Sequence, residues 1–83
     1  MKILYFARIR QIVGRGQDEI DVPPEVKTVS DLINHLVAID ESCAAAFSDR
    51  RTLRAAIDKT HAPLDASIIG VSEVAFFPPV TGG

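Results

Sequence analysis

The chain ends in the stretch Val74-Ala75-Phe76-Phe77-Pro78-Pro79-Val80-Thr81-Gly82-Gly83. Its first four residues are β-branched or aromatic or small, which predicts a buried strand. The two prolines cannot donate a ladder hydrogen bond, so they end the strand and hold the chain extended. The two glycines lack a Cβ and can enter a channel too narrow for other residues. Residues 78–83 are therefore predicted to form an arm that spans roughly 20 Å when fully extended.

Composition limits the class of protein. The 83 residues suit one domain, and a hydrophobic fraction of 47% is ordinary for a globular chain. A net charge of −2 argues against nucleic-acid binding. The single cysteine, Cys43, excludes an internal disulfide, and no spacing of His, Cys, Asp or Glu suggests a metal site. The N-terminal apolar run is interrupted by Arg8 and Arg10, so neither a secretory signal nor a membrane span is expected, and a cytoplasmic protein is the default.

Strands are predicted near both ends of the chain. The candidate segments are Lys2–Ala7, Gln17–Val22, Leu53–Ile57 and Glu73–Phe77, with a short edge piece at Pro63-Leu64. The first segment is apolar without alternation, which indicates a strand covered on both faces, and another protein is a candidate for one of the two covers.

Helices are predicted between these strands. Thr28 to Ile39 carries apolar residues at helical spacing, and Thr28 with Asp31 forms a capping-box-like start. Cys43 to Phe47 is alanine-rich and predicts a short second helix, whereas Arg8 to Val13 is interpreted as a short link of about one turn that ends at Gly14. This order indicates an α+β fold, a mixed sheet on one main helix, with a domain at residues 1–77 and a tail at residues 78–83.

Two motifs then point to a family. The run from Glu73 to Gly83 is long and specific, and a second match comprises Ile3-Leu4-Tyr5-Phe6-Ala7-Arg8, Arg10 and Val13-Gly14. In these residues the chain resembles the MoaD/ThiS family of sulfur carriers, which includes the small subunit of molybdopterin synthase. The resemblance implies a ubiquitin-like β-grasp fold in which the first and last strands are parallel neighbours at the centre of the sheet. The tail would then leave from the middle of the sheet.

The resemblance also implies a chemistry for Gly83. An E1-like adenylyltransferase would activate its carboxylate with ATP and magnesium, and a sulfur nucleophile would convert the glycyl adenylate to a thiocarboxylate (1-thioglycine). The sulfur would pass to a cyclic pterin precursor within a heterotetramer of two small and two large synthase subunits. The pterin site is expected on the large subunit, so this chain would be a non-catalytic sulfur-donating subunit that binds no cofactor alone.

The same resemblance suggests which residues meet the partners. Phe6 and Phe77 would form an exposed docking patch, because only one of the two adjacent phenylalanines can face the helix. The tail residues Pro78, Pro79, Val80, Thr81 and Gly82 would accompany Gly83 into a partner, and Arg10 would bind a partner carboxylate. His61 stands at the edge of this patch, where the family tends to carry an apolar residue. The alternatives without a partner are that a loop or the short helix covers Phe6 and Phe77, and that Arg10 is a solvated surface residue.

Other functions stay open from the sequence. Carriers for thiamine or tRNA thiolation share the fold and the Gly-Gly end, although the Phe-Phe-Pro-Pro-Val-Thr run favours the molybdopterin pathway. A ubiquitin-like modifier or interaction module would also end in Gly-Gly. Cys43 is expected to be a small buried residue, and His35 a solvated one on the polar side of the main helix.

Overall fold

The central feature of the computed structural model is a five-stranded mixed sheet; the structure describes residues 1–79. Its strands are β1 (Lys2–Tyr5), β2 (Gln17–Glu19), β3 (Arg54–Ile57), β4 (Thr60–Ala62) and β5 (Glu73–Phe77). They lie in the spatial order β2-β1-β5-β3-β4. The first and last strands of the chain thus occupy adjacent positions inside the sheet.

The central strands β1 and β5 are parallel, with Lys2 opposite Glu73 and Tyr5 opposite Phe76. All other neighbouring pairs are antiparallel. The parallel pair is flanked on both sides, so β5 ends in the interior of the sheet rather than at an edge. This arrangement confirms the predicted α+β fold and the predicted pairing of the terminal strands, and it is the β-grasp architecture.

Within residues 1–79 the chain forms three α-helices, α1 (Ala7–Val13), α2 (Val29–Ile39) and α3 (Glu41–Ala46), and a 3₁₀ turn at Arg50–Thr52. Their buried residues share one core with the inward residues of the sheet. That core comprises Ile3, Tyr5, Ile9, Val13, Val29, Leu32, Ile33, Leu36, Cys43, Phe47, Leu53, Ala55, Ile68, Val74 and Phe76. The helices therefore cover one face of the sheet. None of the three is long and apolar enough to cross a membrane, as judged over the part of the chain that the structure describes.

The main helix α2 begins as predicted. The Thr28 hydroxyl accepts a hydrogen bond from the Asp31 amide, and the Asp31 carboxylate accepts one from the Thr28 amide. This reciprocal pair is a capping box, which satisfies two amides that the first helical turn would leave unpaired. The predicted apolar face is confirmed at Val29, Leu32, Ile33 and Leu36, all of which are buried.

The segment after β1 corrects the sequence interpretation. β1 ends at Tyr5 rather than Ala7, and residues 7–13 form the seven-residue helix α1 rather than a short link. Ala7 has φ 50°, a left-handed conformation that turns the chain sharply out of the sheet at some energetic cost. Gly14, with φ 87°, ends the helix as predicted, because glycine adopts this conformation without that cost.

The edge strand also differs from the prediction. It lies at Thr60–Ala62, not at Pro63-Leu64, and it pairs with β3 through a two-residue connection. The connecting residues, Asp58 and Lys59, both have positive φ, as the tight hairpin turns require. Asp-Lys lacks the Asn-Gly or Asp-Gly signal of such turns. Smaller differences lie at the ends of elements, since β2 ends at Glu19, α3 spans Glu41–Ala46 and β3 begins at Arg54.

Candidate functional site

The candidate docking patch lies on the face of the sheet that the helices leave uncovered. Tyr5 and Phe76 are paired in register and both point into the core. Because side chains alternate along a strand, the next residues, Phe6 and Phe77, point to the opposite face. Phe6 is 46% exposed and Phe77 is half-buried. Phe76 is fully buried, so one phenylalanine of the pair faces the helices and the other does not, as predicted.

His61 lies beside this patch. It is exposed on β4 and sits opposite Ala56, which in turn sits opposite Ala75 of β5. Its ring centroid is 5.1 Å from that of Phe77, with the ring planes inclined by 52°. This tilted contact places an aromatic, polar-tipped side chain at the edge of the patch. The patch thus has three aromatic rings, of Phe6, Phe77 and His61.

The tail begins directly at this patch. Phe77 is the last residue of β5, and Pro78 and Pro79 follow it, half-buried and outside any strand. The candidate residues Val80, Thr81, Gly82 and Gly83 lie outside the described residues. The chain therefore leaves the sheet between Phe6, which directly follows β1, and the neighbouring strand β3.

Arg10 is exposed on α1. Its guanidinium lies over Gly16, such that a Cβ added to that glycine would come within 3.2 Å of the Arg10 Cζ atom. No carboxylate among residues 1–79 forms an ion pair with it. The position is compatible with the predicted contact to a partner carboxylate, which stays a prediction.

A polar network fixes β1 from the core side. The Tyr5 hydroxyl donates a 2.8 Å hydrogen bond to Asp18 Oδ2, and Arg15 Nε donates at 2.7 Å to Asp18 Oδ1. Arg15 also pairs with Asp40, whose carboxylate caps the start of α3 by accepting from the Ser42 amide. These contacts join the β1–β2 hairpin to α3. They hold the strand that carries Phe6 at its tip.

The network shifts the acidities of its members. The Arg15 guanidinium, followed by the Tyr5 hydroxyl, lowers the pKa of the Asp18 carboxyl despite its partial burial. Arg15 and the Ser42 amide likewise lower the pKa of Asp40. Burial, with the hydrogen bond to Asp18, raises the pKa of Tyr5, so this hydroxyl stays protonated and remains a donor. The network is thus a structural anchor with fixed charges.

Cys43 and His35, the other two residues considered in the sequence analysis, lie on helices α3 and α2. Cys43 is fully buried on α3, and its Sγ atom lies 3.8 Å from the Tyr5 hydroxyl. Burial raises the pKa of the thiol, which disfavours the reactive thiolate. His35 is half-buried on α2 rather than fully solvated. Over residues 1–79 no group of three His, Cys, Asp or Glu side chains is placed to hold a metal ion.

Sequence reasoning missed Arg54. It sits directly opposite Phe77 across β3 and β5, so its side chain lies on the same uncovered face. The strand prediction Leu53–Ile57 includes Arg54 but does not give its register against β5. Only the pairing of the two strands reveals that this cation adjoins the patch.

Comparison with known proteins agrees with this arrangement. The model of the ThiS family matches residues 3–83. The molybdopterin synthase sulfur carrier subunit of Escherichia coli (strain K12) is 40% identical over 83 residues, which span 100% of this chain and 99% of that protein. The subunit of the same name from Haemophilus influenzae is 34% identical over 83 residues, with the same coverage.

A solved structure supports the fold. The crystal structure of SAMP1 from Haloferax volcanii superposes with a TM-score of 0.72 at 25% identity, covering 100% of this chain and 98% of that one. The family match extends over both predicted motifs, at Ile3 and at the C-terminal Gly-Gly. The chain belongs to the ThiS family.

Proposed function

We propose that this chain is a sulfur carrier in molybdenum cofactor biosynthesis and acts as the small subunit of a molybdopterin synthase. The observation that carries the proposal is the 40% identity, over the whole chain, to a relative named for that role. The terminal strand that ends at an uncovered aromatic patch supports it, because a carrier must present its end while a partner holds its body. The cytoplasm is the setting we propose.

The chemistry resides at the Gly83 carboxylate. A carboxylate is a poor acyl donor, so its oxygen first attacks the α-phosphorus of ATP, forming a glycyl adenylate and releasing pyrophosphate. Sulfide then attacks the activated carbonyl, a C–S bond forms as the bond to AMP breaks, and loss of the proton from sulfur leaves the thiocarboxylate. ATP and magnesium belong to an E1-like activating partner. Gly82 and Gly83 suit this step because a chain end without Cβ atoms fits a narrow active site.

The body of the protein would contribute binding. Phe6 and Phe77 dock the large synthase subunit, with His61 at the rim, while the segment Pro78-Pro79-Val80-Thr81 directs the end toward the pterin site. Arg10 binds a carboxylate of the partner. Exposed aromatic side chains are typical interface hot spots, whereas isolated surface apolar residues elsewhere need no functional explanation. We propose two small and two large subunits per complex.

Reconstitution of sulfur transfer tests this proposal. The chain, thiocarboxylated at Gly83, is mixed with the large subunit and the cyclic pterin precursor, and the pterin dithiolene is quantified. The expected result is dithiolene in proportion to thiocarboxylate consumed, with none from the carboxylate form. A thiocarboxylate that never discharges to the pterin would favour a carrier for thiamine or tRNA thiolation. Adducts between Gly83 and lysines of other proteins would favour a ubiquitin-like modifier.

A further inference from the structure

Charge is unevenly distributed along the strand direction. At the end opposite the tail lie carboxylates on or beside β1, β2, β3 and β5, namely Glu19, Asp21, Asp58 and Glu73. The tail-bearing end instead carries arginines on α1 and on β3, namely Arg8, Arg10 and Arg54, together with the ion pair of Asp49 and Arg51 before β3. Lys2, Lys59 and the N-terminal ammonium offset most of the negative charge at the first end, so the excess of cations at the tail-bearing end is the distinctive feature.

Arg54 is placed within the patch itself. It is exposed and sits opposite Phe77, and paired residues on neighbouring antiparallel strands have Cβ atoms about 5 Å apart on one face. Its Nη1 atom donates to the backbone carbonyls of Arg51 at 3.2 Å and Leu53 at 3.0 Å. It forms no ion pair with a carboxylate among residues 1–79. These contacts hold its position and leave its charge uncompensated within that part of the chain.

Arg8 lies on the other side of the tail root. It is the second residue of α1, and the first turn of that helix contains no acidic residue. A cation there opposes the helix dipole, so folding does not favour it. Arg8 also lines a groove with Ile12 of α1, with Pro78 and with Asp49, whose carboxylate pairs with Arg51. The positive charge of Arg8, which does not stabilise helix α1, therefore lies beside the start of the tail.

We propose that Arg8 and Arg54 form a cationic rim around the aromatic patch, and that this rim fits a partner surface whose carboxylates surround an apolar pocket. The inference rests on the proposed function and deepens it: the surface belongs to the large synthase subunit, and the two arginines steer its encounter with the tail-bearing end. Rim charges of this kind act mainly on association rate, through long-range attraction that salt screens.

A protein partner fits these features better than an RNA. Nucleic-acid binders carry a basic face that neutralises many phosphates, whereas this chain has a net charge of −2. The centre of the basic end is apolar, with Phe6 46% exposed. Carboxylates around an apolar pocket would match both the rim and the centre.

The test is the association rate with the purified large subunit of the same organism, measured by stopped flow at low and at high salt. The R8Q/R54Q double variant is expected to associate about tenfold more slowly than wild type at about 20 mM salt, and within about twofold of it at about 1 M. The matched control is K2Q/K59Q, which removes the same charge at the opposite end. It should not slow association. Thermal unfolding checks that both variants fold.

The outcomes separate the two proposals. If the chain binds the large subunit at a rate that changes neither with salt nor in the R8Q/R54Q variant, the cationic rim is overturned and the proposed function still stands. Equal slowing by R8Q/R54Q and by K2Q/K59Q also overturns it, because net charge alone would then account for steering. If the chain binds total tRNA more tightly than it binds the large subunit, and R8Q/R54Q weakens the binding to tRNA, the proposal is overturned in favour of an RNA partner. A wild-type chain that does not bind the large subunit at all overturns the proposed function, and this inference with it.

Discussion

Tyr5 and Phe76 lie opposite each other on the two central parallel strands, and 1% and 0% of their surfaces are exposed. This pair determines the orientation of its neighbours. Since both rings point into the core, Phe6 and Phe77 must point away from it. Both chain segments that carry the family motifs therefore converge at one place on the uncovered face, where the tail begins.

Phe77→Ala is expected to weaken binding to the large subunit by about 1–3 kcal/mol, because it removes a central aromatic anchor of the patch. Isothermal titration calorimetry with the purified large subunit measures the change. Ile69→Ala is the matched control, since Ile69 is 73% exposed but lies in the loop before β5, at the other end of the strand. Unchanged affinity of the Phe77 variant would remove this residue from the interface.

Leu36→Ala is expected to lower the free energy of unfolding by about 2–5 kcal/mol, because it leaves a cavity in the core under α2. Leu36 is 2% exposed. Ile39→Ala in the same helix is the control, because Ile39 is 59% exposed and should lose little. Urea denaturation followed by circular dichroism compares the two. Equal losses would contradict the assigned buried face of the helix.

Asp18→Asn is expected to flatten the dependence of stability on pH in acid. The pKa of Asp18 is lowered in the folded state, first by Arg15 and then by Tyr5. Its stabilising contribution is therefore complete above the unfolded-state pKa of about 3.9 and is lost as pH falls through the folded-state pKa. The variant lacks this titration, so its free energy of unfolding should fall less steeply below about pH 5.

Denaturation curves collected from neutral to acidic pH measure this slope. An Arg15→Gln variant and the double variant complete a thermodynamic cycle, in which the double substitution should cost less than the sum of the single ones. Additive losses, or a wild-type slope in the Asp18 variant, would show that the ion pair does not govern acid stability.

Much of the fold could be predicted because its strongest signals are local. The spacing of Val29, Leu32 and Leu36 with a Thr28 cap identifies α2 from neighbouring residues alone, and Glu73–Phe77 is bounded by Pro78. Helix α1 was underestimated because no side chain caps its start at Phe6, although Ile9 and Val13 already show helical spacing. The strand that follows Asp58-Lys59 has no local signal, because it depends on the pairing of β3 with β4.

The candidate site divides in the same way. Alternation was enough to predict that Phe76 and Phe77 face opposite ways, since that depends on one strand. The closeness of His61 to Phe77 and the pairing of Arg54 with Phe77 depend on register between strands that lie far apart in sequence. Nothing in the local sequence specifies that register. The position of Arg54 beside the patch therefore could not be predicted from the sequence alone.

Removal of Gly83 separates reactivity from folding. The deletion is expected to abolish sulfur transfer while leaving the thermal unfolding midpoint unchanged, because the core is built from residues between Ile3 and Phe76. Differential scanning calorimetry measures the unfolding midpoint, and the dithiolene assay measures sulfur transfer. A lowered midpoint would mean that the last residue contributes to the folded body.

Sulfur loading of Gly83 is tested most directly by the intact mass of the chain after incubation with the E1-like enzyme, magnesium-ATP and sulfide. The expected result is a mass gain equal to the exchange of one oxygen for one sulfur, mapped to Gly83 by fragmentation. That gain should disappear as pterin dithiolene forms when the large subunit and the cyclic precursor are added. No mass gain, alongside a control carrier that is converted under the same conditions, would contradict the assignment of this chain as a sulfur carrier.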